Sequence, residues 1–573
     1  MNHASPPIPP FGPGVPRASV SEVLAAFLAR LGVEVAYGLG GGTIVPFCHA
    51  LARSQVRVLH CRHESGAAFA ALEESLAKDH PTVVFATAGP GITNAITGLA
   101  AARIEGAKVV LVSGGTSPSQ RDRGAAQETT ARTLPAGLLC DGPLFHYATT
   151  LEHPSQLPVI LRRLSVGVQA VEGFVAHIHL PLSMQSAMFE GPALAETKTL
   201  PGPAPSAEAI DAVAKILTEE PCALWVGYGA RKAVPQVRAL AERRSMLVMC
   251  SPRAKGIFPE DHPLSIGTTG VGSHARVASC LKAAGIRRTL VLGTRLWECT
   301  SFWRQDLVPP RGFLHVDVHP AVFGAAYPSA ETLGVHAEIG AFLSALLPRL
   351  PAREGAPPAL PPMARPAPLA PLAEGPVRPR FLFEAVQRVV VESSDAPVLT
   401  EAGSAFVWGN HVLRFQEPGR YRSGLHFGSM GHATTGVLGA AHARGKAAVA
   451  LVGDGSMLML EEVSTAVRYG IPAIWVVLND RQYGIVEHGM RASGYDPVET
   501  RLPDTDFAMV ARGLGALGAR VEREEELEAA LGAALAAGKP FVVDVRVDPE
   551  ERPPITSRVR SLEAQTAKES FSP

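Results

Sequence analysis

A chain of 573 residues with 53 basic and 53 acidic side chains carries no formal net charge. That balance, without any dense Lys/Arg run, excludes an electrostatic footprint for nucleic acid or an anionic membrane. The length exceeds what one hydrophobic core supports, and 46% hydrophobic against 18% charged residues describes a well-buried globule of two or three domains.

The first ten residues lack the basic region and apolar core of a secretory signal and read as a leader. Apolar runs at 82–88 and 108–113 are too short to span a bilayer, and their valine content predicts buried parallel strands. Seven cysteines between Cys48 and Cys299 never form Cys-x-x-Cys. They read as reduced thiols, so a soluble cytoplasmic protein without a disulfide framework or a cysteine metal site is expected.

Alternating β-like and helix-like segments fill three blocks, which predicts an α/β fold of three parallel-sheet domains. The first covers 18–190 and closes on the strand-like run 175–181, which ends in a proline. After a Pro-rich break at 200–205 the second covers 205–350, with β-like runs at 223–230, 289–295 and 313–318. Residues 351–377 are dense in Pro and Ala and read as a linker over the surface. The third block covers 378–555, and residues after Glu550 read as a tail.

Within the third block the strand-like run 447–452 enters Gly453, Asp454, Gly455 and Ser456. A helical pattern covers 461–469, and the strand-like run 474–478 delivers Asn479. Strand ends in a parallel sheet lie side by side, so a carboxylate and an amide oxygen from neighbouring strands can converge on a hard cation such as Mg²⁺. The glycines admit a diphosphate close to the backbone, and amides opening the next helix offer it donors. Alone, Gly-Asp-Gly is an ordinary turn. Far upstream, the runs 58–71 and 83–94 each pass from strand to helix, with Glu64 at the first junction and Gly89, Pro90 and Gly91 at the second. Taken alone, Glu64 is a helix-start acid favoured by the dipole.

Together these motifs resemble those of thiamine diphosphate (ThDP) enzymes, and the chain from about Ser19 to Val547 is similar to the acetolactate synthase large-subunit group. The resemblance implies a pyrimidine-binding first domain, a Rossmann-like central domain and a diphosphate-binding third domain. Some members hold FAD in the central domain; FAD occupancy here is left open. It also implies a site divided between subunits, hence a homodimer or homotetramer. Glu64 matches the glutamate that makes the cofactor's own amino group basic. Met430, close after Gly428, matches the bulky residue that bends the cofactor. Asp454 and Asn479 match side-chain ligands of Mg²⁺, with the carbonyl of Arg481 as a third. Gly453, Gly455, Ser456, Tyr483 and Gly484 complete the cradle. Asp480 stands where the family has a second asparagine. Gln127 matches an active-site glutamine, and Arg295 aligns with an arginine that faces the carboxylate of the second substrate.

The activity so implied is decarboxylation of a 2-oxo acid donor and transfer of the acyl-anion equivalent to a carbonyl acceptor. Four departures set this chain apart. Ala126 replaces a phenylalanine, Leu182 replaces a basic residue, the stretch 404–408 keeps Trp408 but loses a His-Gln pair, and Gly489 stands where a tryptophan limits substrate size. They predict a roomier pocket and an acceptor other than pyruvate or 2-oxobutyrate. His63, His426, His432 and His488 are candidate proton donors, each with a structural role as its simpler reading. The rival readings are acetolactate synthase of branched-chain amino-acid synthesis, a flavin-dependent oxidase of the same fold, and a non-catalytic binding subunit. Retention of Glu64, Asp454 and Asn479 argues against the last.

Overall fold

The structure, a computed structural model, describes residues 18–191, 197, 202–353 and 367–566. The N-terminal leader and parts of the two proline-rich breaks lie outside the described residues.

Three six-stranded sheets, all parallel, form the frame. The α/β class is as expected. Strands such as Lys108–Gly115 and Phe174–Pro181 are buried along their whole length. Burial on both faces is why they read as continuous apolar runs instead of alternating ones. Numbered along the chain within each domain, the central strands lie in the order 3-2-1-4-5-6, the doubly wound dinucleotide-binding order. The first and third sheets share a different order, 2-1-3-4-6-5. These two domains are therefore the same topology used twice, which no sequence repeat announces.

The first and third domains also share one hydrophobic cluster, running from Val35 to Val542, whereas the central domain closes its own. The helix Glu64–Lys78 lies at the heart of the shared core, packed against both Pro90–Glu105 and His432–Arg444. Its alanines carry no single apolar stripe because nearly every side is covered. Small residues let the backbones touch. A Cβ on Gly439 would stand 1.9 Å from the Ala70 carbonyl oxygen, and one on Gly98 would stand 2.5 Å from the Ala68 Cβ.

One expectation needs correction. Of the residues after Glu550, read as a tail, Thr556–Thr566 form a helix docked on the central domain. A single carboxylate oxygen, Oε1 of Glu298, accepts from Arg558 Nη1 at 2.7 Å, Ser561 Oγ at 2.6 Å and Gln565 Nε2 at 3.0 Å. The helix lacks an apolar stripe and is held largely by polar contacts, so hydrophobic periodicity could not reveal it. Among the described residues no helix is long and apolar enough to cross a membrane. All seven cysteines are free thiols.

Candidate active site

Strands Ala448–Gly453 and Ala473–Asn479 pair in parallel with Gly453 opposite Leu478, so the turns that follow them lie side by side. Between them opens a cavity of about 400 Å³ lined by Gly428, Met430, Gly453, Asp454, Gly455, Ser456, Tyr483 and Gly484. Gly453 faces open space, since a Cβ there would meet nothing within 4 Å. Gly455 is glycine for a different reason: a Cβ would come within 2.6 Å of the Tyr483 ring. Asp454 is fixed at both oxygens, accepting from the N–H of Gly455 and the N–H of Arg481, each at 2.7 Å.

Asn479 and Arg481, expected to ligate a cation, do not line this cavity, and both are hydrogen-bonded elsewhere. Asn479 Nδ2 donates to the Thr505 carbonyl at 3.0 Å and to Asp544 Oδ1 at 2.8 Å, and its Oδ1 accepts from Arg546 Nη1 at 3.1 Å. The Arg481 carbonyl accepts from the N–H of Leu502 at 2.8 Å. The physical reason is the pleat: successive side chains point to opposite faces, so with Asn479 turned against the neighbouring strand the next residue faces the cavity. That residue is Asp480, and Gln482 lines the cavity with it.

Burial, then the charge of Asp480, pushes Asp454 up to about 7; burial likewise pushes Asp480 up to about 6. Among the described residues no Lys or Arg pairs with either carboxylate. Two oxygen-donor side chains facing one cavity without a neutralising partner fit a hard divalent cation. The sign of the pH dependence follows. Both groups hold protons in the folded chain that the unfolded chain has already lost, so the cation-free protein loses stability as pH rises from about 4 through 7. Thermal unfolding should therefore show a larger stabilisation by Mg²⁺ at pH 8 than at pH 5. A Mg²⁺ effect that does not grow with pH would remove this pair as the binding site.

The first domain carries a second group. Glu64 opens its helix, is only 3% exposed, and accepts from Asn94 Nδ2 at 3.1 Å. Gln127 accepts from Thr87 Oγ1 at 3.2 Å and is held at φ +55°, a strained conformation for a residue with a side chain. Both flank one turn. A Cβ on Gly89 would stand 3.3 Å from the Gln127 Cβ, and one on Gly91 the same distance from Glu64 Oε1. Within a single chain this group does not meet the other: no residue of the first domain lines the 400 Å³ cavity.

Arg295 belongs to neither group. Its guanidinium lies 4.9 Å over the Trp297 ring, in a separate crevice at the strand ends of the central domain. Among the described residues the one Lys or Arg that lines the large cavity is Arg558, from the C-terminal helix. Of the four histidines, His63 caps the Glu64 helix, His432 is bonded to buried Glu73 at 2.7 Å, and His426 packs edge-on against Trp297. His488 lines the cavity with Nδ1 unpartnered among the described residues, and burial holds its pKa below the usual imidazole value.

Three family models match the chain in succession: the N-terminal TPP binding domain of thiamine pyrophosphate enzymes over 18–134, their central domain over 210–346, and their C-terminal TPP binding domain over 401–545. The chain belongs to the thiamine pyrophosphate enzyme family. The ThDP-binding domains thus coincide with the two groups described above, and the enzyme falls in the acetolactate synthase-like set. It is 27% identical over 550 residues to the large subunit of acetolactate synthase isozyme 1 from Escherichia coli, covering 94% of this chain and 95% of that one. It is also 27% identical to a probable 2-ketoarginine decarboxylase from Pseudomonas aeruginosa, over 92% of this chain and 94% of the other. Among solved structures, a ThDP-dependent 4-hydroxybenzoylformate decarboxylase from Rhodococcus jostii superposes with a TM-score of 0.81 at 22% identity, covering 93% of this chain and all of that one. Family members are carboligases and decarboxylases, and this chain is an enzyme of that kind.

Proposed function

We infer that this ThDP enzyme decarboxylates a 2-oxo acid and transfers the acyl-anion equivalent to a carbonyl acceptor other than pyruvate or 2-oxobutyrate. The observation that carries the reading is the lining of the cavity: the carboxylates Asp454 and Asp480, the apolar side chains Phe406, Trp408, Leu425 and Ile555, and the cation Arg558. ThDP, when bound, supplies an electron sink for the carbanion left by decarboxylation. Asp454, Asp480 and the carbonyl of Gln482 would hold Mg²⁺ against the diphosphate. Met430, 42% exposed on a loop between glycines, offers a bulky support beneath the cofactor rings. Glu64 would set its buried carboxyl against the pyrimidine nitrogen as its proton-exchange partner, and Gln127 would orient the reacting carbonyl. His488, neutral at pH 7, holds a lone pair or a proton at Nδ1. Arg558, in place of Arg295, receives a substrate carboxylate, and the apolar walls exclude water. The reaction is redox-neutral, so FAD has no step in it.

Two features support a site completed by a second copy of the chain. The Glu64 group and the Asp454 cavity lie apart within one chain, and each domain exposes large apolar side chains, Val45 and Leu182 on the first, Phe427 and Val486 on the third. A homodimer or homotetramer follows. The free thiols suit a cytoplasmic enzyme. A second reading, acetolactate synthase itself, is supported by the near full-length similarity to that enzyme's large subunit.

The test is a product screen. Holoenzyme with ThDP, Mg²⁺, pyruvate and a panel of aldehydes and 2-oxo acids should give, by mass spectrometry, a condensation product with an acceptor outside the acetolactate pair. Acetolactate as sole product would transfer the assignment to the second reading. Absence of decarboxylation with every 2-oxo acid would end both.

A further inference from the structure

A cavity of about 280 Å³ lies where all three domains meet, at the C-terminal ends of the helices Glu64–Lys78 and His432–Arg444. Five of its lining side chains are cationic, Arg231, Lys232, Arg253, Arg422 and Arg444, against one acid, Asp79. Part of that charge is matched nearby. Arg253 binds Glu105 Oε2 at 2.7 Å, Arg444 binds Asp395 at 2.9 Å, and Lys232 binds Asp79.

Arg231 and Arg422 are not so matched among the described residues. Arg422 is 7% exposed, yet its guanidinium's one hydrogen bond among the described residues goes to the neutral Tyr228 hydroxyl at 3.3 Å. Its nearest carboxylate oxygen, Glu73 Oε2, stands at 3.8 Å, and the other oxygen of Glu73 already serves His432. Arg231 reaches Asp79 only at 3.8 Å and stacks 4.5 Å over the Tyr228 ring, which Arg253 flanks at 4.1 Å. A guanidinium carries five N–H donors, and with the nearest carboxylates at 3.8 Å Arg231 and Arg422 keep donors to offer to an occupant of the cavity. The simpler account, that cations here serve helix C-termini, covers Arg444 in the last turn of its helix. Arg231 and Arg253 close short 3₁₀ turns of the central domain, whereas Arg422 lies on the strand Tyr421–Ser423 and is not covered by it.

We propose that this junction is an anion site that takes the phosphoryl group of a small molecule, with Arg231 and Arg422 as its principal donors. Guanidinium forks match phosphate oxygens in pairs, and the surplus of positive charge favours a dianion over a monocarboxylate. An occupant would touch the C-terminal ends of Glu64–Lys78 and His432–Arg444, about 20 Å along those helices from Glu64 and from the Met430 loop.

The experiment is calorimetric titration of protein saturated with ThDP and Mg²⁺, using inorganic phosphate, ribose 5-phosphate and ADP in separate arms. The arms separate free phosphate, a sugar phosphate and a nucleotide as the source of the phosphoryl group. At least one should bind saturably at one site per chain, at least tenfold more weakly after Arg231→Ala and again after Lys232→Ala, whose half-exposed side chain can be removed without disturbing the core. No saturable binding in any arm, or binding that both substitutions leave unchanged, would overturn the proposal. The readout is binding, so it stands or falls independently of the reaction proposed above.

Discussion

Glu64→Gln should lower kcat by about two to four orders of magnitude, the range set by loss of a positioned proton donor or acceptor. The carboxyl is buried, and its hydrogen bond from Asn94 is one that an amide oxygen also accepts, so the fold should survive. What the amide cannot do is exchange a proton with the pyrimidine nitrogen. Steady-state turnover with an unfolding midpoint measured beside it separates the two effects. Unchanged turnover would sink the mechanism, and a lost midpoint would show Glu64 to be structural.

Asp480→Ala should weaken Mg²⁺ binding by at least a hundredfold, about 2.8 kcal/mol, and turnover should fall with it. Asn479→Ala should behave in the opposite way. It removes one partner of Asp544, which is fully buried, and frees Arg546 from a hydrogen bond. A loss of about 1–3 kcal/mol in stability follows from the stranded groups, with Mg²⁺ affinity nearly kept. Asp480→Asn, which restores the family's second asparagine, keeps an oxygen ligand and should fall between wild type and alanine. Mg²⁺ titrations of the three variants decide the matter. If Asn479→Ala alone destroyed Mg²⁺ binding, the reassignment of the ligand to Asp480 would be wrong.

That reassignment marks where sequence reading stops. The strand, helix and strand around Gly453 were read almost to the residue, because Val-rich buried strands and a capped amphipathic helix leave strong local signals. Which of two adjacent residues faces the cavity depends on the phase of the pleat at the strand's last residue, and that is set by pairing with Phe541–Arg546, far away in the chain. Arg558 escaped for a related reason. Its helix is polar, and its place depends on one carboxylate of the central domain. Arg295 closes the β-like run 289–295 but lies beyond the strand Arg288–Leu292, and only the fold reveals that its side chain stacks on Trp297 in another crevice. The common topology of the first and third domains was equally hidden, since strand order leaves no local trace.

The core shared by those two domains also bears on how the chain comes to be folded. The alanine-rich face of Glu64–Lys78 is covered in part by His432–Arg444, which a ribosome reaches only some 350 residues later. At about 5–20 residues per second that interval is roughly 20–70 s. Throughout it the first domain can form its sheet but cannot finish its interior. The N-terminal third of the enzyme is thus a folding intermediate by construction, with an apolar helix face waiting for its partner, and its risk of aggregation during synthesis is set by the speed of translation as much as by its own stability.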